Sequence, residues 1–306
     1  MSRHIDLIGV PSSAGAHGPG QEKAPSALRA AGILRILTAA GVETNDRGDL
    51  PLARFAPDPA HPKSQNLGRV VEVADQVAHA VERSVHSDRL PLVLGGDCSI
   101  TLGVVAGLIR SMPDLGLLYF DGDADLTTPQ TTRSGIADSM VMGHLLGLAG
   151  AAPDLAGIGS RRPLLSADRV VLFGYMAYEA EPEEEQLMKR LGLVRYPGSG
   201  LRRPAERPAR EAVAALEAKA ERIVVHFDVD VMDSAEMPLG NWPHYGGLSL
   251  DEAMECLSIF LASPKLAALV ITEINPDHDP DSVLIPRFVA GLGRPLRALA
   301  AQAATR

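Results

Sequence analysis

The residues of this chain that could do chemistry are gathered in two aspartate-rich motifs. Residues 121–125 read DGDAD after the apolar run 116–120, and residues 228–233 read DVDVMD after the apolar run 223–227. Each run is typical of a buried parallel strand, so each motif is expected at a strand's carboxyl end, where open α/β sheets place their sites. Carboxylates gathered there would repel one another by roughly 4 kcal/mol per close pair at an effective dielectric constant of about 20. The pattern therefore predicts a site that holds either cations or protons.

Each of these features also has a structural interpretation. An isolated Asp-x-Asp after a strand is more often a loop whose side chains accept backbone hydrogen bonds. The two motifs together with GGDCS at residues 95–99 favour a metal site instead. Cys98 by itself would be a small buried residue. Cys256 lies in a helical apolar pattern and is assigned to the core, and His226, on a predicted strand, is assigned a structural role.

The composition indicates a globular protein with one domain spanning residues 1–306. Of the 306 residues, 46% are hydrophobic and 22% are charged, as in ordinary soluble proteins. The net charge of −9 argues against nucleic acid as a partner and is compatible with a small cationic substrate. Two cysteines are too few for a disulfide framework, and we find neither a secretory leader nor an apolar run of roughly 18 residues. We therefore expect a cytoplasmic protein without a membrane span.

Short apolar runs alternate with segments of helical period, which is typical of repeated strand-helix-strand units. The sequence therefore predicts an α/β protein, a three-layer α/β/α sandwich with a mostly parallel sheet. Strands are expected at residues 5–10, 90–94, 116–120, 170–173, 223–227 and 266–271, with one or two more near Val42 and Leu193. Helices are expected at residues 25–40, 67–86, 99–110, 140–149, 182–191, 204–219, 250–262 and 286–304.

Two of these helices carry start signals. Ser249 and Glu252 form the pattern of a capping box, and Pro182 precedes three glutamates that complement the helix dipole. We therefore interpret this acidic run as structural.

The sequence resembles the ureohydrolase family of arginases, agmatinases and formiminoglutamases. The resemblance rests on five blocks: GGDCS at residues 95–99, the two aspartate motifs, Ser134-Gly135, and EINP at residues 273–276. It covers nearly the whole chain and implies an arginase-like fold. It also implies hydrolysis of a small cationic guanidine or amidine at two divalent metals, usually manganese, in a homotrimer or homohexamer.

The resemblance implies a set of ligands for each metal. The first metal would be held by Cys98, Asp121, Asp125 and Asp228, and the second by Asp121, Asp123, Asp228 and Asp230. The chain departs from the family here, because Cys98 and Asp123 stand where the family has histidine.

These two exchanges change the charge of the site. Four aspartates and two neutral histidines carry −4, which two divalent ions cancel, whereas five aspartates and a thiolate carry −6. Extra anionic ligands weaken Lewis acidity, so bound water is expected to be a poorer nucleophile. The thiolate favours zinc, while the oxygen ligands around Asp123 suit manganese, magnesium or calcium. A weakened site with mixed metals or a single ion is therefore expected.

Further site residues follow from the same resemblance. Thr127, Thr132, Ser134 and Glu179 would bind the far end of the substrate, Glu273 would bind the guanidinium, and Asp138 would take the place of a proton-shuttling histidine. His244 is a second candidate for proton transfer. Residues 234–245 replace a stretch that the family keeps after the second motif, so the substrate cannot be inherited from arginase.

Two functional hypotheses remain. In the first, the chain is an active hydrolase that cleaves a carbon–nitrogen bond of a linear amidine or guanidine, with hydroxide as the nucleophile and Asp138 or His244 handling protons. In the second, it is a catalytically inactive member of the fold that serves as a ligand sensor or partner subunit. Metal content and the release of urea or ammonia from a guanidine panel distinguish the two hypotheses.

Overall fold

A central eight-stranded sheet organises the chain. The computed structural model describes residues 4–201 and 205–301. The strands are β1 (His4–Gly9), β2 (Glu43–Asp49), β3 (Leu90–Leu94), β4 (Leu115–Phe120), β5 (Val170–Phe173), β6 (Val194–Tyr196), β7 (Arg222–Asp228) and β8 (Leu266–Thr272). Their order is β2-β1-β3-β8-β7-β4-β5-β6, and every pairing between these strands is parallel. The six predicted strands and both additional ones are confirmed.

Helices cover both faces of the sheet, which confirms the three-layer sandwich. They are α1 (Ala24–Ala30), α2 (Ile33–Ala39), α3 (Leu67–His86), α4 (Ile100–Ile109), α5 (Val141–Leu145), α6 (Pro153–Ala156), α7 (Pro182–Leu191), α8 (Glu206–Glu217), α9 (Leu250–Leu261), α10 (Leu284–Gly291) and α11 (Gly293–Ala301). Helices α1, α2 and α8–α11 pack on one face, and α3–α7 pack on the other. The sheet is parallel throughout rather than mostly, because helical crossovers connect its strands on both faces.

Strand alternation divides the core into two halves. In β7, Val225 and Phe227 pack with the first set of helices, and Val224 packs with the second. The first half contains an aromatic cluster in which the ring of Phe120 lies 5.1 Å from that of Phe227 and 5.5 Å from that of Phe260. Side chains of even-numbered β7 residues therefore share the second face.

Several predicted helices are shorter or divided. The predicted helix at 25–40 is two helices, because Gly32 adopts a left-handed conformation with φ of 94°. The predicted helix at 286–304 is divided between α10 and α11, and α5 ends at Leu145 rather than Ala149. The capping box of Ser249 and Glu252 is confirmed at the start of α9. Residues 204 and 302–304 of the predicted helices lie outside the described residues.

Four adjacent central strands, β3, β8, β7 and β4, end at the same edge of the sheet. Their carboxyl ends lead into Cys98, Glu273, Asp228 and Asp121, respectively. Gly96 permits this arrangement, because a Cβ at this position would lie 2.5 Å from the carbonyl oxygen of Ser12. The fold therefore collects chemistry-bearing residues from distant parts of the sequence.

Among the described helices, none combines the length and apolarity needed to cross a bilayer.

Truncating the centre of the sheet should destabilise the whole fold. Leu269 lies in β8 with no exposed surface, whereas Leu52 is 49% exposed. We expect Leu269→Ala to lower the free energy of unfolding by about 2–5 kcal/mol, because it leaves a cavity in the core. Leu52→Ala, the same chemical change at the surface, should cost less than about 0.5 kcal/mol. Urea unfolding monitored by circular dichroism measures both, and equal losses would contradict this account of the core.

Candidate metal centre and substrate cavity

The first group of possible ligands lies at the ends of β3, β4 and β7. Cys98 Sγ lies 3.9 Å from Asp121 Oδ2 and is in direct contact with Asp228 Oδ2. One ligand atom from each of Cys98, Asp121, His226 and Asp228 lies within 4.8 Å of the others, and all four residues are buried. The structure thus brings together three of the four residues predicted for the first metal and adds a histidine.

His226 was missed as a possible ligand, because the sequence analysis assigned it a structural role. Its Nε2 lies 3.2 Å from Asp121 Oδ2 and 3.6 Å from Cys98 Sγ, and its Nδ1 lies 2.8 Å from Thr101 Oγ1. The ring stacks on Tyr119 at 4.2 Å. Burial lowers the pKa of His226 to about 3, so the ring is neutral. Strand alternation was the available signal, because it places residues 226 and 228 on one face.

Asp125, predicted as the fourth ligand of the first metal, has a different partner. The hydroxyl of Tyr119 donates a hydrogen bond to Asp125 Oδ2. Asp125 also has a left-handed backbone, with φ of 50°, a conformation that Asp tolerates better than most residues. In this structure the side chain of Asp125 lies beside the first group rather than within it.

A second group consists of Asp123, Asp230 and His244. His244 Nε2 lies 3.3 Å from Asp123 Oδ2 and 3.6 Å from Asp230 Oδ2, and its Nδ1 lies 2.9 Å from Glu179 Oε2. Burial lowers the pKa of His244, but Asp123 and Asp230 outweigh this effect and raise it to about 12. Gly122 makes room for the ring, since a Cβ there would lie 2.5 Å from His244 Cδ2. Of the four residues predicted for the second metal, this group contains Asp123 and Asp230, with His244 beside them, whereas Asp121 and Asp228 lie in the first group.

Asp138 and Glu273 form a third group with Cys98. The backbone N–H of Cys98 donates to Asp138 Oδ1 at 2.7 Å, and Gln21 Nε2 donates to Glu273 Oε2 at 2.7 Å. Glu273 Oε1 is buried and has no hydrogen-bond partner in the described structure. Glu273 also has a left-handed backbone with φ of 66°, which costs on the order of 1–3 kcal/mol. The surrounding structure holds this carboxylate in place at an energetic cost.

The buried acids favour their protonated forms when no cation is present. Burial, with the neighbouring acids adding to it, raises the pKa well above the ordinary value for Asp121, Asp125, Asp138, Asp228 and Glu273. The same two causes raise the pKa of the Cys98 thiol. A divalent cation would replace these protons, and the combined donor set of thiolate, imidazole and carboxylate fits such an ion.

A cavity of about 830 Å³ opens onto these groups. Its lining includes the predicted substrate residues Thr127, Thr132, Ser134, Glu179 and Glu273. The Thr127 hydroxyl donates to the carbonyl oxygen of Ser139 at 2.7 Å, and Thr132 Oγ1 accepts from the backbone N–H of Gly135 at 3.0 Å. These two hydroxyls therefore already hold the loop that forms one wall.

Acidic residues dominate the cavity wall. The lining contains two arginines, Arg133 and Arg190, and eleven acids: Asp121, Asp123, Asp125, Asp138, Asp228, Asp230, Glu179, Glu181, Glu183, Glu184 and Glu273. The acidic run at the start of α7, interpreted from sequence as structural, thus also faces the cavity. Burial, with a contribution from Asp123, raises the pKa of Glu184 to about 7. The wall favours a cationic ligand.

Comparison with known proteins finds matches to the arginase family over most of the chain. The Arginase family model matches residues 3–292. Human arginase-1 is 33% identical over 278 residues, which are 90% of this chain and 86% of that protein. The arginase of Brevibacillus brevis is 31% identical over 288 residues, 92% of this chain and 94% of that protein. The solved arginase from Bacillus caldovelox matches with a TM-score of 0.88 at 28% identity, covering 97% of this chain and 98% of that one.

Removing one buried acid should stabilise the metal-free protein at alkaline pH. Because burial raises the pKa of Asp121, the folded chain holds this proton more tightly than the unfolded chain. The associated stability is fully present below about pH 4 and is lost as the pH rises through the raised pKa. In EDTA at pH 8, we expect Asp121→Asn to melt about 2–4 °C above the wild type, which corresponds to about 1 kcal/mol in a large domain.

The same thermal unfolding measurement near pH 4 should show no difference between Asp121→Asn and the wild type. Asp88 is exposed and has a left-handed backbone that Asn also tolerates, so Asp88→Asn is the matched control and should change neither melting temperature. An Asp121→Asn variant that melts below the wild type at pH 8 would contradict the charge account of the site.

Proposed function

Because the chain belongs to the arginase family, we propose that it is a metal-dependent hydrolase that cleaves a carbon–nitrogen bond of a linear guanidine or related amidine. The observation that carries the proposal is the Glu273 carboxylate, which is buried beside Cys98 and Asp138 at the cavity. A guanidinium presents paired N–H donors whose geometry matches a carboxylate. Glu273 is therefore the proposed anchor of the reacting group.

The proposed cofactor is a divalent cation held by the first two ligand groups. Manganese is the ion that the resemblance implies, and the Cys98 thiolate favours zinc on its side. When bound, such a cation supplies Lewis-acid activation of water and of the substrate carbon. The protein contributes the donor side chains at the carboxyl edge of the sheet.

Proton transfer is assigned to residues next to the anchor. The reaction adds water to the guanidinium carbon, and the bond from that carbon to the substrate's amine nitrogen breaks as this nitrogen gains a proton. A guanidine thus yields urea and a primary amine. Asp138 lies in one group with Glu273 and is the proposed proton carrier. His244 belongs to the second ligand group, where its ring lies between Glu179 and Asp123.

The acidic wall supports a substrate with a second positive charge. Glu179, Glu181 and Glu184 line the same cavity as Glu273, although they come from a distant part of the sequence. The Thr127 hydroxyl donates within its own loop, so it is not a free donor for a substrate carboxylate. We therefore propose a guanidine that ends in an amine. Assembly as a homotrimer or homohexamer and a cytoplasmic location stay predictions from the resemblance and the sequence.

Loss of the anchor should abolish turnover without loss of metal. We expect Glu273→Gln to lower kcat/KM for urea release at least 100-fold, because the charged partner of the guanidinium is lost. Metal content per chain, measured by mass spectrometry, should stay unchanged. Glu72→Gln, the same exchange at an exposed position, should keep full activity. A Glu273→Gln enzyme with more than a tenth of wild-type kcat/KM would rule out this role.

Substrate choice tests the acidic wall separately. After loading with manganese or with zinc, we expect 4-guanidinobutylamine to be hydrolysed with kcat/KM at least tenfold above that of the corresponding α-amino acid, arginine. A preference for arginine would contradict the proposed substrate class while leaving the hydrolase proposal intact. No urea from any guanidine would instead favour the inactive, ligand-binding alternative.

A further inference from the structure

We propose that His226 and His244 are metal ligands, and that they supply from new positions the two imidazoles that the family places at positions 98 and 123. The proposal rests on the proposed function only in that both concern the same metal centre. It makes a separate claim, that the histidine ligands have been relocated within the fold rather than lost.

His226 is oriented as a ligand of the first group. Thr101 Oγ1 lies 2.8 Å from Nδ1, and the opposite nitrogen, Nε2, is turned towards Asp121 Oδ2 at 3.2 Å and Cys98 Sγ at 3.6 Å. Stacking on Tyr119 fixes the plane of the ring. Metal-bound histidines are usually held in this way by a hydrogen bond to the outer nitrogen. Neighbouring ligands on one tetrahedral ion with bonds of about 2.0–2.3 Å lie about 3.3–3.8 Å apart, close to these separations.

His244 is oriented as a ligand of the second group. The carboxylate of Glu179 lies 2.9 Å from Nδ1, and Nε2 points towards Asp123 and Asp230 at 3.3 and 3.6 Å. The ring is 0% exposed, and Nε2 has no hydrogen-bond partner of acceptable geometry among the described residues. Both carboxylates lie within ion-pair distance of Nε2 without a well-formed hydrogen bond to it, and a cation between them would be coordinated by all three groups. Carboxylate, histidine and metal in this order form a recurrent arrangement in metalloproteins.

The position of Asp125 also reduces the excess of negative charge at the first group. Tyr119 holds Asp125 outside the first group, which leaves Cys98, Asp121 and Asp228 as its three anionic donors beside the neutral His226. One divalent cation then leaves a net charge of −1. In the second group, one divalent cation balances Asp123 and Asp230, with neutral His244 completing the set. The first group, with sulfur and nitrogen, suits zinc or cobalt, and the second tolerates harder ions.

Cobalt titration of the full-length protein, stripped of metal with a chelator, tests the proposal. We expect the wild type to bind two Co²⁺ per chain, with a thiolate-to-cobalt charge-transfer band from the first group. His226→Ser should weaken binding at the first group at least tenfold and shift its visible ligand-field bands. His244→Gln should reduce the stoichiometry from two ions to one, leaving the charge-transfer band in place.

A third buried histidine provides the matched control. His144 Nδ1 lies 2.7 Å from the carbonyl oxygen of Met140, and its Nε2 accepts from the N–H of Ala152 at 3.1 Å. His144→Gln should therefore retain both cobalt sites. Circular dichroism checks the folding of each variant. Unchanged affinity, spectrum and stoichiometry in both His226→Ser and His244→Gln would overturn the proposal.

X-ray absorption on the wild type gives a second answer that does not depend on the folding of any variant. Zinc- or cobalt-loaded protein should show the scattering of one imidazole per metal together with sulfur at half of the ions. Absence of imidazole scattering, or of cobalt binding by the wild type, would overturn the relocation, and His244 would then act as a metal-free cation between two acids. Imidazole-bound cobalt without urea release would uphold the relocation and defeat the proposed function instead.

Discussion

Mutual repulsion among buried carboxylates is the constraint around which the site is organised. Asp121 directly follows strand β4 and Asp228 ends strand β7, and these two parallel strands are neighbours at the centre of the sheet. Burial that would be harmless for an apolar side chain raises the pKa of Asp121 and Asp228 well above the usual value. The large aromatic and aliphatic core beneath them stabilises the fold and offsets the cost of burying these acids.

Much of the fold follows from sequence patterns. The boundaries of β3, β5, α3 and α7 match the predicted ranges, since their apolar periodicity and their Gly, Pro or charged ends are unambiguous. The division at Gly32 could not be located from the sequence, because one glycine inside a helical pattern is compatible with either a continuous or a broken helix. The aspartate motifs are found together at the sheet edge because strand ends fix their place.

The histidines show where sequence reasoning fails and why. His226 could have been found, because alternation along β7 sets it two residues from Asp228 on the same face. His244 was identified from the sequence as a candidate for proton transfer, but its place beside Asp123 and Asp230 could not be predicted. It comes from the irregular segment after the second motif, whose path depends on contacts with Glu179 and on the space above Gly122. The position of the first acids of α7 at the cavity was missed for a similar reason. Their local role at a helix N-terminus was clear, but their position at the cavity depends on tertiary packing.

The ligands come from chain segments far apart in the sequence, and this origin bears on how the protein folds. Cys98 and Asp121 are 23 residues apart, and Cys98 and Asp228 are 130 residues apart, so a cation bound there would join strands that must first find one another. Such an ion cannot act as an early template, because its coordination shell exists only after the central strands have assembled. Its effect would fall on the unfolding rate, as expected for contacts formed after the transition state. The metal would then act as a late cross-link that delays opening of the sheet.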